Sequence, residues 1–379
     1  MPKRVRLACA RKVVGLSQET LAQRLGVERS TVVRWETTTI EPQPWIRPRL
    51  ASALGITADE LAGMLASFVD LKDHPPEQRD HPLLDGLRRA MFGGANQMCV
   101  QELPSVDEVH RLYQQAEYEA TASVLPSLIT GLDTPIESAS AYVVAAKLAT
   151  KIGDSALAWV AADRAVRSAM DSERDALMGV AQYQVACALL KGGHRDAAEE
   201  CAALAIEPLS DKEDCDALSA RGALVLLLAV LAARQGDSVA ARRRLIEAQT
   251  LANQLGGDAN HAWTAFGPTN VAIHQLSVAT ALGDTASAHR LGEEINTDRL
   301  PSALLGRRSQ VHLDLARAEA DHGNDAVAVL HLLEAERVAS QSVSRNAGTR
   351  AVLVTLLGRE RRGTTPGLRA LARRAEVVR

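Results

Sequence analysis

From Ser105 onward the chain repeats a short pattern, and that repetition limits the fold more than any single motif does. Gly153, Gly193, Gly236, Gly283 and Gly323 are separated by 40, 43, 47 and 40 residues. Five residues after each glycine stands an alanine (Ala158, Ala198, Ala241, Ala288, Ala328), and seven before each stand Ala146, Ala186, Ala229, Leu276 and Ala316. A glycine can take the left-handed backbone that a tight turn between helices requires, and small residues on both sides let the paired helices approach closely. The spacing predicts stacked helical hairpins, each burying its apolar stripe against the next. Residues Glu117 to Ala122 suggest one earlier unit, for about six hairpins in all. A non-repetitive helical bundle is the competing reading. Hydrophobic residues make up 46% of the chain but aromatics only 3%, a balance that favours helix over strand throughout.

The register separates core from candidate groove. Positions eight and five before each glycine are mostly apolar, as at Ala145, Leu148, Leu228 and Leu231. Positions thirteen, nine and six before it share another stripe by helical spacing. That stripe holds Asn270, His274 and Ser277 in the fourth unit and Gln310, Asp314 and Arg317 in the fifth. The second unit contributes Gln184, whereas the third is apolar there. The stretch from Trp263 to His274 is the least repeat-like, with Gly267-Pro268 placed to break the chain and open a helix. Trp263 and Phe266 adjoin the polar stripe, and an apolar wall with a few aimed polar groups is the general design of a ligand pocket. Asn270 and His274 could equally serve hydrogen bonds within the array, and Gln310, Asp314 and Arg317 a solvated face.

The Gly-x-x-x-x-Ala step resembles that of tetratricopeptide (TPR) repeats, although the period exceeds their usual length. The resemblance implies a solenoid whose first helices line a concave, ligand-binding surface. In the peptide-sensing regulators called RRNPP, asparagines on such helices hold peptide backbone, and Asn270 is similar in placement.

The other informative stretch is Leu16–Glu36, LSQETLAQRLGVERSTVVRWE. Ser17 can N-cap a first helix carrying Leu21 and Leu25, and Gly26 can end it. Val27, Val32 and Trp35 give a second helix its apolar face and leave Arg29, Ser30, Thr31 and Arg34 exposed. This is the pattern of a helix-turn-helix, whose second helix enters the DNA major groove. With RPRLASALGITADEL further on, the first 64 residues resemble the Cro/repressor (XRE) family. The resemblance implies a five-helix domain that binds double-stranded operator DNA as a homodimer. By position it assigns Gln18 to phosphate, Arg29, Ser30, Thr31 and Arg34 to base edges, and Arg11 with Glu36 to a pair tying the first helix to the recognition helix. Two residues depart from the family pattern: Glu28 replaces a usual capping Ser or Thr, and Thr38 a frequent glycine.

Charge is segregated. The net charge is −3, but residues 1–64 carry ten Lys/Arg against six Asp/Glu and residues 343–379 carry nine against two, which leaves −14 between them. A basic N-terminal module on an acidic body is expected when one end meets phosphate. The five cysteines are odd in number and lack Cys-x-x-Cys spacing, which predicts free thiols in a reducing cytoplasm. No signal peptide is evident, and the longest apolar run, near Ala223–Ala233, falls short of a membrane span. No Gly-rich phosphate loop, His-Glu-x-x-His or nucleophile elbow occurs, and His194, His261, His274, His289 and His312 are scattered, so neither an enzyme nor a metal or cofactor site is expected.

The sequence thus predicts an all-α protein: an N-terminal five-helix Cro/repressor-like domain followed by a TPR-like α-solenoid. Residues 1–65 form the reader, 66–104 a linker with a short helix near Leu83–Met91, 105–342 the array and 343–379 a basic capping segment. The expected function is transcriptional regulation, with a peptide or small-molecule effector received by the array, which also dimerises the chain. The alternative is a DNA-binding scaffold whose groove takes a protein partner and no small effector.

Overall fold

The computed structural model describes residues 7, 11, 14, 16–37, 40, 42–43, 45–56, 61, 81–93, 104–360 and 364–378. Every regular element among them is helical. Most of residues 1–15, together with Thr38, Cys99, Arg361 and Arg362, lie outside the described residues. Two units separate, Met1–Glu77 and Gln78–Arg379.

In the first unit α1 (Gln18–Leu25), α2 (Arg29–Thr37) and α3 (Arg47–Leu54) enclose a small core. The Ser17 hydroxyl accepts from the Thr20 N–H at 3.0 Å, and Gly26 leaves α1 with φ 71°. Leu7, Leu21, Leu25, Val32, Trp35, Ile46, Leu50, Leu54 and Leu61 are buried together, so the apolar residues read from the sequence do form one core. Val14 is 41% exposed in a turn.

The second unit begins with α4 (Asp85–Phe92), then six pairs: α5 (Val106–Gln114) with α6 (Tyr118–Gly131), α7 (Pro135–Ile152) with α8 (Ser155–Asp171), α9 (Asp175–Lys191) with α10 (Arg195–Leu204), α11 (Cys215–Gln235) with α12 (Ser238–Leu255), α13 (Pro268–Leu282) with α14 (Thr285–Glu294), and α15 (Leu305–His322) with α16 (Asp325–Val338). The helix α4, placed by sequence in the linker, lies in the body: Leu84, Leu87 and Met91 are buried beside Leu125 and Leu128 of α6. All five repeat glycines turn with φ between 76° and 105°. Their neighbours explain the restart of the chain, because Asp154, Asp237 and Asp284 each follow a glycine and cap the next helix at 2.9–3.0 Å. The five alanines after the glycines are fully buried where the paired helices touch.

The solenoid closes on itself. Each first helix packs on the next, from α5 through α7, α9, α11 and α13 to α15, and α15 returns to α5. The closure is sealed by the Glu119 N–H donating to Gln341 Oε1 at 2.9 Å and by an Arg345–Glu119 ion pair at 2.7 Å. The closing helices α17 (Ser340–Ser344), α18 (Ala347–Leu357) and α19 (Leu368–Arg374) cover α15 and α16 with Leu353, Leu356, Leu368 and Leu371. The arginines of this basic segment meet carboxylates: Arg374 pairs with Glu336 at 2.6 Å, Arg359 with Asp325 at 2.8 Å and Arg345 with Glu376 at 3.0 Å. Against expectation, α11 has the length and mean hydropathy (21 residues, 1.9) of a membrane span. Its apolar side chains are spent inside the body, where Leu224 to Leu228 are nearly all buried.

Candidate nucleic-acid interface and ring interior

The α2 helix is held from behind and open in front. Val32 and Trp35 are 1% and 4% exposed, whereas Arg29, Ser30 and Arg34 face solvent and Thr31 is half-buried. The Arg34 Nε donates to the Ser30 carbonyl at 3.3 Å, and the Ser30 hydroxyl to Glu28 Oε2 at 3.0 Å. That second bond ties the unusual carboxylate into the start of the helix.

Behind α2 lies a buried charge network. Glu36 accepts from Arg11 Nε at 2.7 Å and Arg11 Nη2 at 3.2 Å, and Arg11 Nη1 donates to the Leu16 carbonyl at 2.7 Å. Both side chains are at least nine-tenths buried, so the pair survives desolvation through these extra hydrogen bonds. Gln18, assigned to phosphate by resemblance, also gives Glu36 one N–H, at 2.7 Å.

In the body, the loop from Gly256 to Gly267 reaches across the ring. The Trp263 indole stacks on His110 of α5 at 4.7 Å and 12°, and its carbonyl accepts Lys147 Nζ of α7 at 2.8 Å. Asn260 and Gln114 of α5 exchange two hydrogen bonds of 2.9 and 2.7 Å, and the loop also touches α9 and α11. Ala262, Trp263 and Ala265 adopt φ of 47°, 56° and 58°, which costs L-residues about 1 kcal/mol or more each. Phe266 differs from its expected place. It is fully buried against α11, where a Cβ on Gly222 would lie 2.1 Å from its ring, so it anchors the loop from within the core.

The remaining sequence-predicted residues sit on the inner helices α9, α13 and α15. Asp314 accepts from Gln310 Nε2 at 2.9 Å and from the Ser277 hydroxyl, which joins α15 to α13. Burial raises the Asp314 carboxyl above its ordinary value, while the two hydrogen bonds and Arg317 oppose that shift. His274 Nδ1 lies 2.9 Å from the Asn270 carbonyl; facing a carbonyl, Nδ1 must carry the proton, and Nε2 is left as an acceptor. Burial, aided by Arg307, lowers His274 to about 3 and keeps it neutral. Asn270 Oδ1 and Gln184 Nε2 are buried without a partner among the described residues.

Sequence reasoning missed the cations. One turn beyond the predicted stripe, two residues before the first three repeat glycines, stand Lys151, Lys191 and Arg234, whereas Ala281 and Asp321 hold that place in the last two units. Extending the same helical spacing by four residues would have found them. Burial, aided by Arg307, holds Lys147 and Lys151 down at about 8.

A pH dependence follows. The lowered folded-state values of His110 and His274 mean that below about pH 6.5 the unfolded chain takes up protons that the folded one refuses, so stability falls with acid. The lowered lysines work in the same direction higher up: between about 8 and 10 the folded state has released protons the unfolded chain still holds, so stability rises with pH. Thermal melts at low salt should show the midpoint climbing from pH 4 to 6.5 and again from 7.5 to 9.5. The second climb should be on the order of 1 kcal/mol for each half-buried ammonium of Lys147 and Lys151. A flat profile over both windows would contradict these environments.

The N-terminal unit is a helix-turn-helix domain: residues 4–64 match the family described by that name. Among solved structures, a crystal structure of Bacillus thuringiensis PlcR in complex with the peptide PapR7 and DNA is similar, at 13% identity and a TM-score of 0.29, covering 88% of this chain and 93% of that one. No curated protein gives a match.

Proposed function

We propose that the protein is a sequence-specific DNA-binding transcriptional regulator, read by residues 1–65 and controlled through the array of residues 105–342. The observation that carries the reading is the α2 face. Arg29, Ser30, Thr31 and Arg34 stand together on a helix whose opposite side is locked by Val32, Trp35 and the Arg11–Glu36 pair. The +4 charge of the first 64 residues supports attraction to the phosphate backbone. Arginine and serine hydroxyl donors on one exposed helix suit base edges in the major groove.

The array receives a peptide or small-molecule effector and pairs two copies, so that the recognition helices meet half-sites about one DNA turn, roughly 34 Å, apart. Support for the effector comes from inward polar groups with spare hydrogen-bonding capacity, Gln184, Asn270 and His274. An effector acts only if it binds two array shapes with different affinity. The strained Gly256–Gly267 loop, which bridges four inner helices, is the element most readily shifted. Selection of duplexes from a random-sequence pool by the full chain, followed by affinity measurements with added peptides and metabolites, tests both halves of this reading. A scaffold that binds only a protein partner would leave DNA affinity indifferent to every such compound.

A further inference from the structure

Resting on the reading that the array receives an effector, we propose that the ring interior is a site for a compact polyanion. Its ligand is a small molecule bearing two or more phosphate or carboxylate groups, gripped by Lys151, Lys191, Arg234, Arg307 and Arg317.

These five cations come from four of the six inner helices: α7, α9, α11 and α15. They influence one another across the ring, Arg307 acting on Lys151, and Arg317 on both Lys191 and Arg234. Like charges converging from opposite walls are costly unless something neutralises them. Among the described residues none of the five has an ion pair within 4.0 Å, whereas outer arginines such as Arg167, Arg290, Arg337 and Arg374 each pair with a neighbouring carboxylate. The carboxylate that shares their face, Asp314, already accepts hydrogen bonds on both oxygens from Ser277 and Gln310. A cation in the last turn of a helix complements the helix dipole, which accounts for Lys151, Lys191 and Arg234 singly but not for their facing Arg307 and Arg317. Lys191 and Arg234 are exposed at the ends of their helices and Lys151, Arg307 and Arg317 are half-buried, so all five can be reached by a ligand from solvent. The sorting is sharper because residues 65–342 carry a net −14.

The second observation is Gln184. It is 2% exposed, its Nε2 has no partner among the described residues, and it lies seven residues before Lys191 on the same face of α9. An uncommitted amide donor two turns along the same face from a cation can add a hydrogen bond to an anionic ligand. Guanidinium forks match phosphate and carboxylate in the same bidentate way, so the shared chemistry is multiple anionic oxygens in a small volume. A single carboxylate would leave most of the five charges unmatched. The Gly256–Gly267 loop crossing the ring bars an extended chain from threading it.

The test is calorimetric titration of the full chain, in buffer free of multivalent anions, with inorganic pyrophosphate, with citrate and with hexaglutamate. The expected result is one site per chain for pyrophosphate, citrate or both, and which of them binds assigns the ligand to phosphate or carboxylate chemistry. Affinity should fall at least 10-fold in Arg307→Gln/Arg317→Gln and stay unchanged in Arg242→Gln/Arg243→Gln on the exposed side of α12. Should the double inner variant misfold, Lys151→Gln gives the same comparison with a smaller change. Absence of binding by both small anions, equal losses in the inner and outer variants, or tighter binding of hexaglutamate would overturn the proposal. If an anion binds and DNA affinity is unmoved, the effector reading fails while this site stands. If a neutral compound controls DNA affinity and no anion binds, the reverse holds.

Discussion

Replacing Arg29 and Arg34 together by alanine should lower affinity for a selected operator by about 30-fold or more while leaving affinity for random duplex within a few-fold. The magnitude follows from base-edge pairings, each worth about 1–3 kcal/mol of discrimination, or about 2–6 kcal/mol for two. Phosphate attraction, which carries no sequence information, falls only by the two charges removed. The fold should survive. Both side chains are exposed, and the hydrogen bond from Arg34 to the Ser30 carbonyl lies on the solvent side of α2. Fluorescence anisotropy on the two duplexes at one salt concentration gives the ratio directly. An unchanged ratio would remove Arg29 and Arg34 from base reading.

The second large effect should come from behind the helix. Arg11→Met leaves Glu36 with one hydrogen bond from Gln18 in place of the Arg11 fork, inside a site about 5% exposed. Breaking a buried pair from one side costs about 3–5 kcal/mol, most of what a domain of this size possesses. Hydrogen exchange in the full chain should show the α1 and α2 amides losing protection while those of α11 keep theirs. Arg11→Met/Glu36→Leu should recover much of the loss, because an apolar pair of similar volume carries no stranded charge. Full protection in the single variant would show that the pair contributes little.

Much of this was legible locally. Ser17, Gly26, Val32 and Trp35 are readable within one stretch because capping, helix ending and amphipathic spacing are short-range rules. The Gly-to-Ala step marks five of the six hairpins for the same reason: each turn is decided by residues next to it. What escaped depends on contacts between distant residues. Ring closure rests on Glu119 meeting Arg345, 226 residues away, and nothing near either residue announces it. Phe266 reads as a pocket aromatic until Gly222, 44 residues earlier, is seen to make room for its ring. The short helix near Leu83–Met91 lacks a repeat signature and shows its allegiance only by burying Leu84, Leu87 and Met91 against α6. The inner cations were the one miss with a local signal, since Lys151, Lys191 and Arg234 continue the stripe one turn further.

Two features are proposed to act together, an exposed face of α2 that reads DNA sequence and an array that pairs two copies. Selection from a random duplex pool by the full chain tests this most directly. The expected result is enrichment of a palindromic site with half-sites about 10 base pairs apart, centre to centre, bound far less well by Arg29→Ala/Arg34→Ala. A pool that stays random through repeated rounds, or enrichment that the double variant reproduces in full, would contradict it.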